Sequence, residues 1–186
     1  MKLGIIIGST RPVRTGDKLA EWLAAIARET DDVVVDMIDL CEIDLPFFNE
    51  AKHPRSGDYQ HQKTVAWSQR IAACDAFVVV TPEYNHSAPA GLLNAVTFLI
   101  KEWRCKPVAF LSYGGISGGL RAVQQMKLTF LAVEAVPIPE AVVVPFVGGQ
   151  IKDGAFVPNQ VQQDAAPVVI KKLKAWADAV LPLRNL

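Results

Sequence analysis

The sequence predicts a single α/β domain built on a parallel sheet. Apolar, β-branched runs alternate with stretches of helical periodicity from end to end. The first of those runs is continuously apolar, as in a strand buried on both faces. No shift in composition marks a second domain, so residues 1–186 are expected to form one unit. Hydrophobic residues make up 51% of the chain and charged residues 20%, which supplies a substantial core and argues against disorder.

The elements follow in order. Leu3 to Ile7 is the first strand and ends at Gly8-Ser9-Thr10. Asp17 to Glu29 fits a helix, with Leu19, Trp22, Leu23 and Ile26 on one face. Val33 to Ile38 reads as the second strand, Gln62 to Ala73 as a helix and Ala76 to Val80 as the third strand. Leu92 to Trp103 is the next helix, and Val108 to Leu111 the fourth strand. Leu120 to Val133 is helical, Ala141 to Val144 is the fifth strand, and Val161 to Val180 closes the chain as a helix. Two connections are long: Cys41 to Tyr59, broken by Pro46 and Pro54, and the Gly- and Pro-rich Pro145 to Pro158, which is placed as a small excursion beside the fifth strand.

Basic and acidic residues balance at 19 each, which gives no reason to expect a nucleic-acid or anionic-membrane partner. The same balance argues against the acidic docking surface of a small electron shuttle. The cysteines Cys41, Cys74 and Cys105 form no C-x-x-C pair and read as reduced thiols. No leader precedes the first strand and no apolar run reaches membrane-spanning length, so a cytoplasmic location is expected.

Ligands of open parallel sheets bind beyond the C-terminal strand ends, where successive connections run in opposite directions. Three loops there carry the chemistry. Gly8-Ser9-Thr10-Arg11-Pro12-Val13-Arg14-Thr15-Gly16 joins hydroxyls, arginines and glycines to a helix N-terminus, where free amides and the helix dipole suit a phosphate monoester. It lacks both the P-loop lysine and G-x-G-x-x-G. The bland alternative is a polar turn capped by Thr15 or Asp17. Thr81-Pro82-Glu83-Tyr84-Asn85-His86-Ser87 offers an aromatic face and polar edges, with Ser87 as the expected cap of the next helix. Glu83 reads as a carboxylate holding a backbone amide or a neighbouring chain's arginine, and His86 as a packing or hydrogen-bonding residue; neither reads as a catalyst. Ser112-Tyr113-Gly114-Gly115-Ile116-Ser117-Gly118-Gly119 lets a backbone approach a flat ligand closely.

These three stretches, with Arg121, resemble the NAD(P)H-dependent FMN reductase family, the flavodoxin-like group that includes quinone, azo-dye and chromate reductases. The resemblance spans about residues 1 to 145, with Pro82-Glu83-Tyr84-Asn85 its most specific part. It implies a flavodoxin-like three-layer sandwich with a five-stranded parallel sheet in the order 2-1-3-4-5. It implies an FMN phosphate held by Ser9, Arg11, Thr15 and Gly16, with Pro82, Glu83, Tyr84 and Asn85 along the ring and ribityl chain. Ser112, Tyr113, Gly114 and Gly115 then lie on the ring's other side. Where the family often carries serine followed by asparagine before the first helix, this chain has Arg14-Thr15-Gly16-Asp17.

The function implied is transfer of electrons from NADPH or NADH, through FMN, to a small oxidant such as a quinone, azo compound, chromate or free flavin. The cofactor carries that chemistry, and no separate catalytic residue is called for. A homodimer or homotetramer is implied by the family, with Leu92 to Trp103 as a candidate interface against the alternative of core packing. The competing readings are a flavodoxin-type FMN electron carrier acting with a protein partner, and a flavin-free receiver domain. The receiver would need acidic residues where Gly8-Ser9 and Thr81-Pro82 stand.

Overall fold

A computed structural model describes residues 1–185. Five parallel strands form the sheet, in the order β2-β1-β3-β4-β5: β1 (Lys2–Ile7), β2 (Val34–Asp39), β3 (Ala76–Pro82), β4 (Pro107–Tyr113) and β5 (Val136–Val144). The sequence-predicted order is the observed one. Helices α1 (Gly16–Arg28) and α6 (Gln160–Val180) cover one face. Helices α3 (Gln62–Ala72), α4 (Ala90–Thr97) and α5 (Leu120–Ala132) cover the other. The alternation of β1 shows the division: Leu3, Ile5 and Ile7 pack towards α1 and α6, and Ile6 packs the opposite way beside Phe77. Gly4 stands under that ring, where any Cβ would lie 2.7 Å from Phe77 Cδ1.

The first helix buries alanines more than the sequence suggests. Leu19 and Leu23 are in the core with Ala20, Ala24 and Ala27, whereas Trp22 and Ile26 pack at its margin. Trp22 instead meets Phe156 edge-to-face, with centroids 5.2 Å apart. Phe156 belongs to the hairpin β6 (Ile151–Lys152) and β7 (Ala155–Phe156), the excursion expected between 145 and 158. The closing helix starts with a reciprocal cap: Gln162 N donates to Asn159 Oδ1 (3.0 Å), and Asn159 N donates to Gln162 Oε1 (2.8 Å).

Several boundaries differ from the sequence reading. β3 and β4 run on to Pro82 and Tyr113, so the site motifs begin inside the sheet. β5 starts at Val136, not at Ala141; Pro137 and Pro139 are tolerated because β5 is an edge strand, and a register shift lies opposite Val108 to Phe110. The helix expected to reach Trp103 ends at Thr97. A continuous helix would carry Phe98 about 100° from Leu99; the turns that replace it bury Phe98, Leu99 and Trp103 together. Phe98 and Trp103 are therefore core residues, as the core-packing alternative has it. Cys105, at φ 51°, then redirects the chain, and its amide donates to Glu134 O (2.8 Å).

The long connection after β2 is tied down. It contains α2 (Leu40–Ile43), capped by Asp39. Asn94 accepts from Phe48 N (2.9 Å) and donates to Pro46 O (2.7 Å). Glu50 accepts from the amides of Gln60 (2.8 Å) and His61 (3.1 Å). Cys41, Cys74 and Cys105 are free thiols.

Lys106 is 5% exposed, and its ammonium donates to Ile71 O (2.8 Å) and Ala72 O (2.9 Å) at the end of α3. Burial, reinforced by the nearby Arg184, pushes it down to about 8 from 10.5. The unfolded chain therefore holds this proton more tightly, and stability rises with pH between those two values. Urea unfolding at a series of pH values will show wild type gaining stability relative to Lys106→Met from pH 8 to 10.

Candidate functional site

The C-terminal ends of β1, β3 and β4 are adjacent, and the connections reverse direction between β1 and β3. Gly8 N donates to Val80 O (2.9 Å), which closes β1 onto β3 before the chain turns away. Beyond it, the amides of residues 9–11, 13–15 and 17 donate to nothing within the chain, among the described residues, while that of Gly16 faces the Tyr113 hydroxyl. Thr15 sits at the N-cap of α1 but its side chain accepts no capping bond, and the Asp17 carboxylate lies 3.5 Å from Lys18 Nζ. Neither residue is the cap that the alternative reading of this loop requires.

The two arginines have different surroundings. Arg14 is ion-paired with Asp39, the residue that also caps α2. Arg11 is exposed and has no carboxylate partner among the described residues. The loop thus presents unpaired amides, the Thr15 hydroxyl and one free guanidinium at a helix N-terminus.

The loop after β3 is a tight hairpin. Asn85 (φ 50°) and His86 (φ 66°) occupy its two left-handed positions, and Tyr84 and Ser87 exchange backbone hydrogen bonds of 2.9 and 3.0 Å. Ser87 does not cap α4, whose N-cap is Pro89. Its hydroxyl instead donates to Gln125 Oε1 (2.6 Å), which also accepts from Ala88 N (2.8 Å). Glu83 binds within its own chain. Its carboxylate accepts from Ser117 Oγ (2.9 Å) and Arg121 N (3.1 Å) and is ion-paired with the Arg121 guanidinium. The sequence reading allows a backbone amide or an arginine, and Arg121 supplies both from within the chain. Burial opposes ionisation of Glu83, but these bonds outweigh it and hold the carboxyl below its ordinary range. A carboxylate so occupied is a clamp between two loops, not a free base.

The two tyrosines join the loops. Tyr84 Oη lies 2.7 Å from Ser9 Oγ, and Ser9 is buried. Tyr113 is buried with its hydroxyl beneath Gly16, where a Cβ would come within 2.7 Å of Oη. Burial pushes that phenol well above its ordinary range. Tyr113 thus supports the first loop from below, although the sequence reading places it against the ring. Gly118 and Gly119 both have positive φ, and a Cβ on Gly119 would stand 2.9 Å from Tyr113 N. Gly115 has nothing within 4 Å of such an atom and leaves an open floor. The Ser112 hydroxyl is buried without a partner among the described residues.

Pro82, Glu83 and Tyr84 therefore stand beside Ser112, Tyr113 and Gly114, with Ser9 against Tyr84 and Gly16 against Tyr113. Sequence reasoning missed the braces Ser117 and Gln125, which have no signature of their own. It also missed a cleft of about 510 Å³ beside Thr10, walled by Leu40, Cys41, Pro46, Phe47, Gly91 and Asn94. No His, Cys, Asp or Glu cluster suited to a metal occurs among the described residues, and no helix there is long and apolar enough to cross a membrane.

Fold and site together define an α/β domain of flavodoxin topology with a loop of largely unpartnered amides at a helix N-terminus beside its switch point. Residues 1–149 match the family model described as NADPH-dependent FMN reductase. The chain is 30% identical over 185 residues to the NAD(P)H-dependent FMN reductase ntnL of Nectria sp., covering 96% of this chain and 88% of that one. It is 31% identical to an NADPH azoreductase of Bacillus sp., covering 95% and 92%. Its fold is similar to that of FerB, a flavoenzyme NAD(P)H:(acceptor) oxidoreductase from Paracoccus denitrificans, with a TM-score of 0.75, 23% identity, and 96% and 98% coverage. The chain belongs to the NADPH-dependent FMN reductase family.

Proposed function

We propose that this protein is an FMN-dependent oxidoreductase that passes electrons from NADPH or NADH to small oxidants such as quinones, azo compounds, chromate or free flavin. The observation that carries this reading is the first loop: unpartnered amides, a helix N-terminus and the free Arg11 at the switch point of the sheet. When bound, FMN supplies the hydride acceptance and electron release that the residues themselves lack. Arg11, the Ser9 and Thr15 hydroxyls and the amides around Gly16 hold the phosphate. Pro82, Glu83, Tyr84 and Asn85 border the ring on one side, and Ser112, Gly114 and Gly115 on the other, with Tyr113 as a prop beneath. The Glu83–Arg121 clamp keeps the two ring-binding loops at a fixed separation. The protein works in the cytoplasm as a homodimer or homotetramer, on small-molecule oxidants.

Relatives named as azoreductase and quinone reductase favour this reading over an electron carrier. The test is an anaerobic absorbance titration of FMN-loaded protein. Bleaching of the flavin bands by NADPH or NADH alone, and their return on adding a quinone, is the expected result. Bound FMN that neither nucleotide bleaches would establish the electron carrier. Failure to bind FMN at all would remove the phosphate-loop argument.

A further inference from the structure

The exposed face of α6 carries a pattern that the fold does not use. At about 100° per residue, Val161, Val168, Ala175 and Ala179 lie within roughly 20° of one line along the helix. Val161 is 77% exposed and Val168 49%. Asp164 and Lys171 flank this line on one side, and Ala165 and Lys172 on the other. None of Asp164, Lys171 and Lys172 has an oppositely charged partner among the described residues.

Along this line, α6 and the edge strand β5 enclose a groove of about 400 Å³ lined by Glu140, Val161, Asp164, Ala165 and Val168. Glu140 shares its side of β5 with Ile138 and Val142, both in the core. It is the one carboxylate in that apolar row, and its Oε2 is buried without a hydrogen-bond partner among the described residues. An unpaired buried carboxylate oxygen is costly and calls for a cation.

We infer that this face is a contact between two copies of the chain, packed antiparallel about a two-fold axis at Val168. Such an axis lies in the interface, keeps each residue on its own side of the stripe and exchanges those before Val168 with those after it. Asp164 of one copy then meets Lys171 of the second. Lys172 of the second copy arrives over Ala165, beside Glu140. Each charge finds its opposite twice, and the valines and alanines meet along the centre. Pro137 and Pro139 remove amide donors from β5, so this edge is ill suited to strand pairing between copies. The inference locates one contact of the homo-oligomer proposed above and rests on that part of the reading.

Sedimentation velocity of FMN-saturated protein tests it. Asp164→Lys is expected to weaken this association at least about tenfold by placing like charges together, and Asp164→Lys with Lys171→Glu to restore it. Val168→Cys, at the two-fold, is expected to give a covalent dimer on mild oxidation beyond what wild type forms through its own thiols. A monomeric wild type would overturn this inference and the oligomeric reading alike. An oligomer unaffected by Asp164→Lys, with Val168→Cys forming no extra covalent dimer, would overturn this inference alone.

Discussion

Reversing the charge of Arg11 will weaken FMN binding by about 100-fold or more and leave the melting temperature unchanged. A charge-assisted hydrogen bond to a phosphate is worth roughly 1.5–3 kcal/mol, and the Arg11→Glu carboxylate adds repulsion. Stability should not follow, because the side chain is exposed and pairs with nothing within the chain, among the described residues. Arg14→Gln provides the contrast. Its guanidinium is joined to Asp39 between the loop and α2, so the main loss there is of thermal stability. Fluorescence titration of FMN with thermal unfolding of each apoprotein separates the two. Equal loss of affinity in both variants, or none in Arg11→Glu, would count against the assigned phosphate site.

Trp103→Ala will cost about 3–5 kcal/mol, the range for deleting a buried aromatic. For a domain of this size that lowers the melting temperature by roughly 6–20 °C. Trp103 has no exposed surface and touches three aromatic rings edge-on: Trp67 at 6.2 Å, Phe77 at 4.9 Å and Phe130 at 5.4 Å between centroids. Its indole nitrogen has no hydrogen-bond partner among the described residues, whereas that of Trp67 donates to Ala95 O (2.9 Å). Trp103→Phe should therefore recover most of the loss, since it keeps ring contacts and removes an unsatisfied donor. A milder effect of the alanine variant in chemical denaturation would mean that the turns after α4 collapse into the cavity.

The legible part of this protein was its periodicity. Strands buried on both faces must be apolar at every position, so Leu3–Ile7 and Ala76–Val80 announce themselves without their partners. The loop residues could be named for a related reason: a phosphate site at a helix N-terminus needs glycine, hydroxyls and a cation within a few residues, and Gly8 to Gly16 supplies them locally. The resemblance of three ordered motifs carried the remaining assignments.

What escaped the sequence depended on partners far along the chain. Glu83 is held by Ser117 and Arg121, and Ser87 by Gln125, so neither could be assigned its role from its own neighbours. The Tyr113 hydroxyl lies beneath Gly16, a contact that its own neighbours in sequence do not announce. The helix before Trp103 stops early, and turns carry Phe98, Leu99 and Trp103, which a regular helix would spread over about 140°, into one core. By itself the sequence determined the alternation of elements, the parallel sheet and the glycine- and hydroxyl-rich make-up of the first loop, because burial and backbone chemistry write these within a few residues. The tertiary structure alone decided which side chain braces which loop, where the fourth helix ends and how the fifth strand lies along the edge. Those outcomes are set by packing and hydrogen bonding between segments tens of residues apart, and no local pattern encodes them.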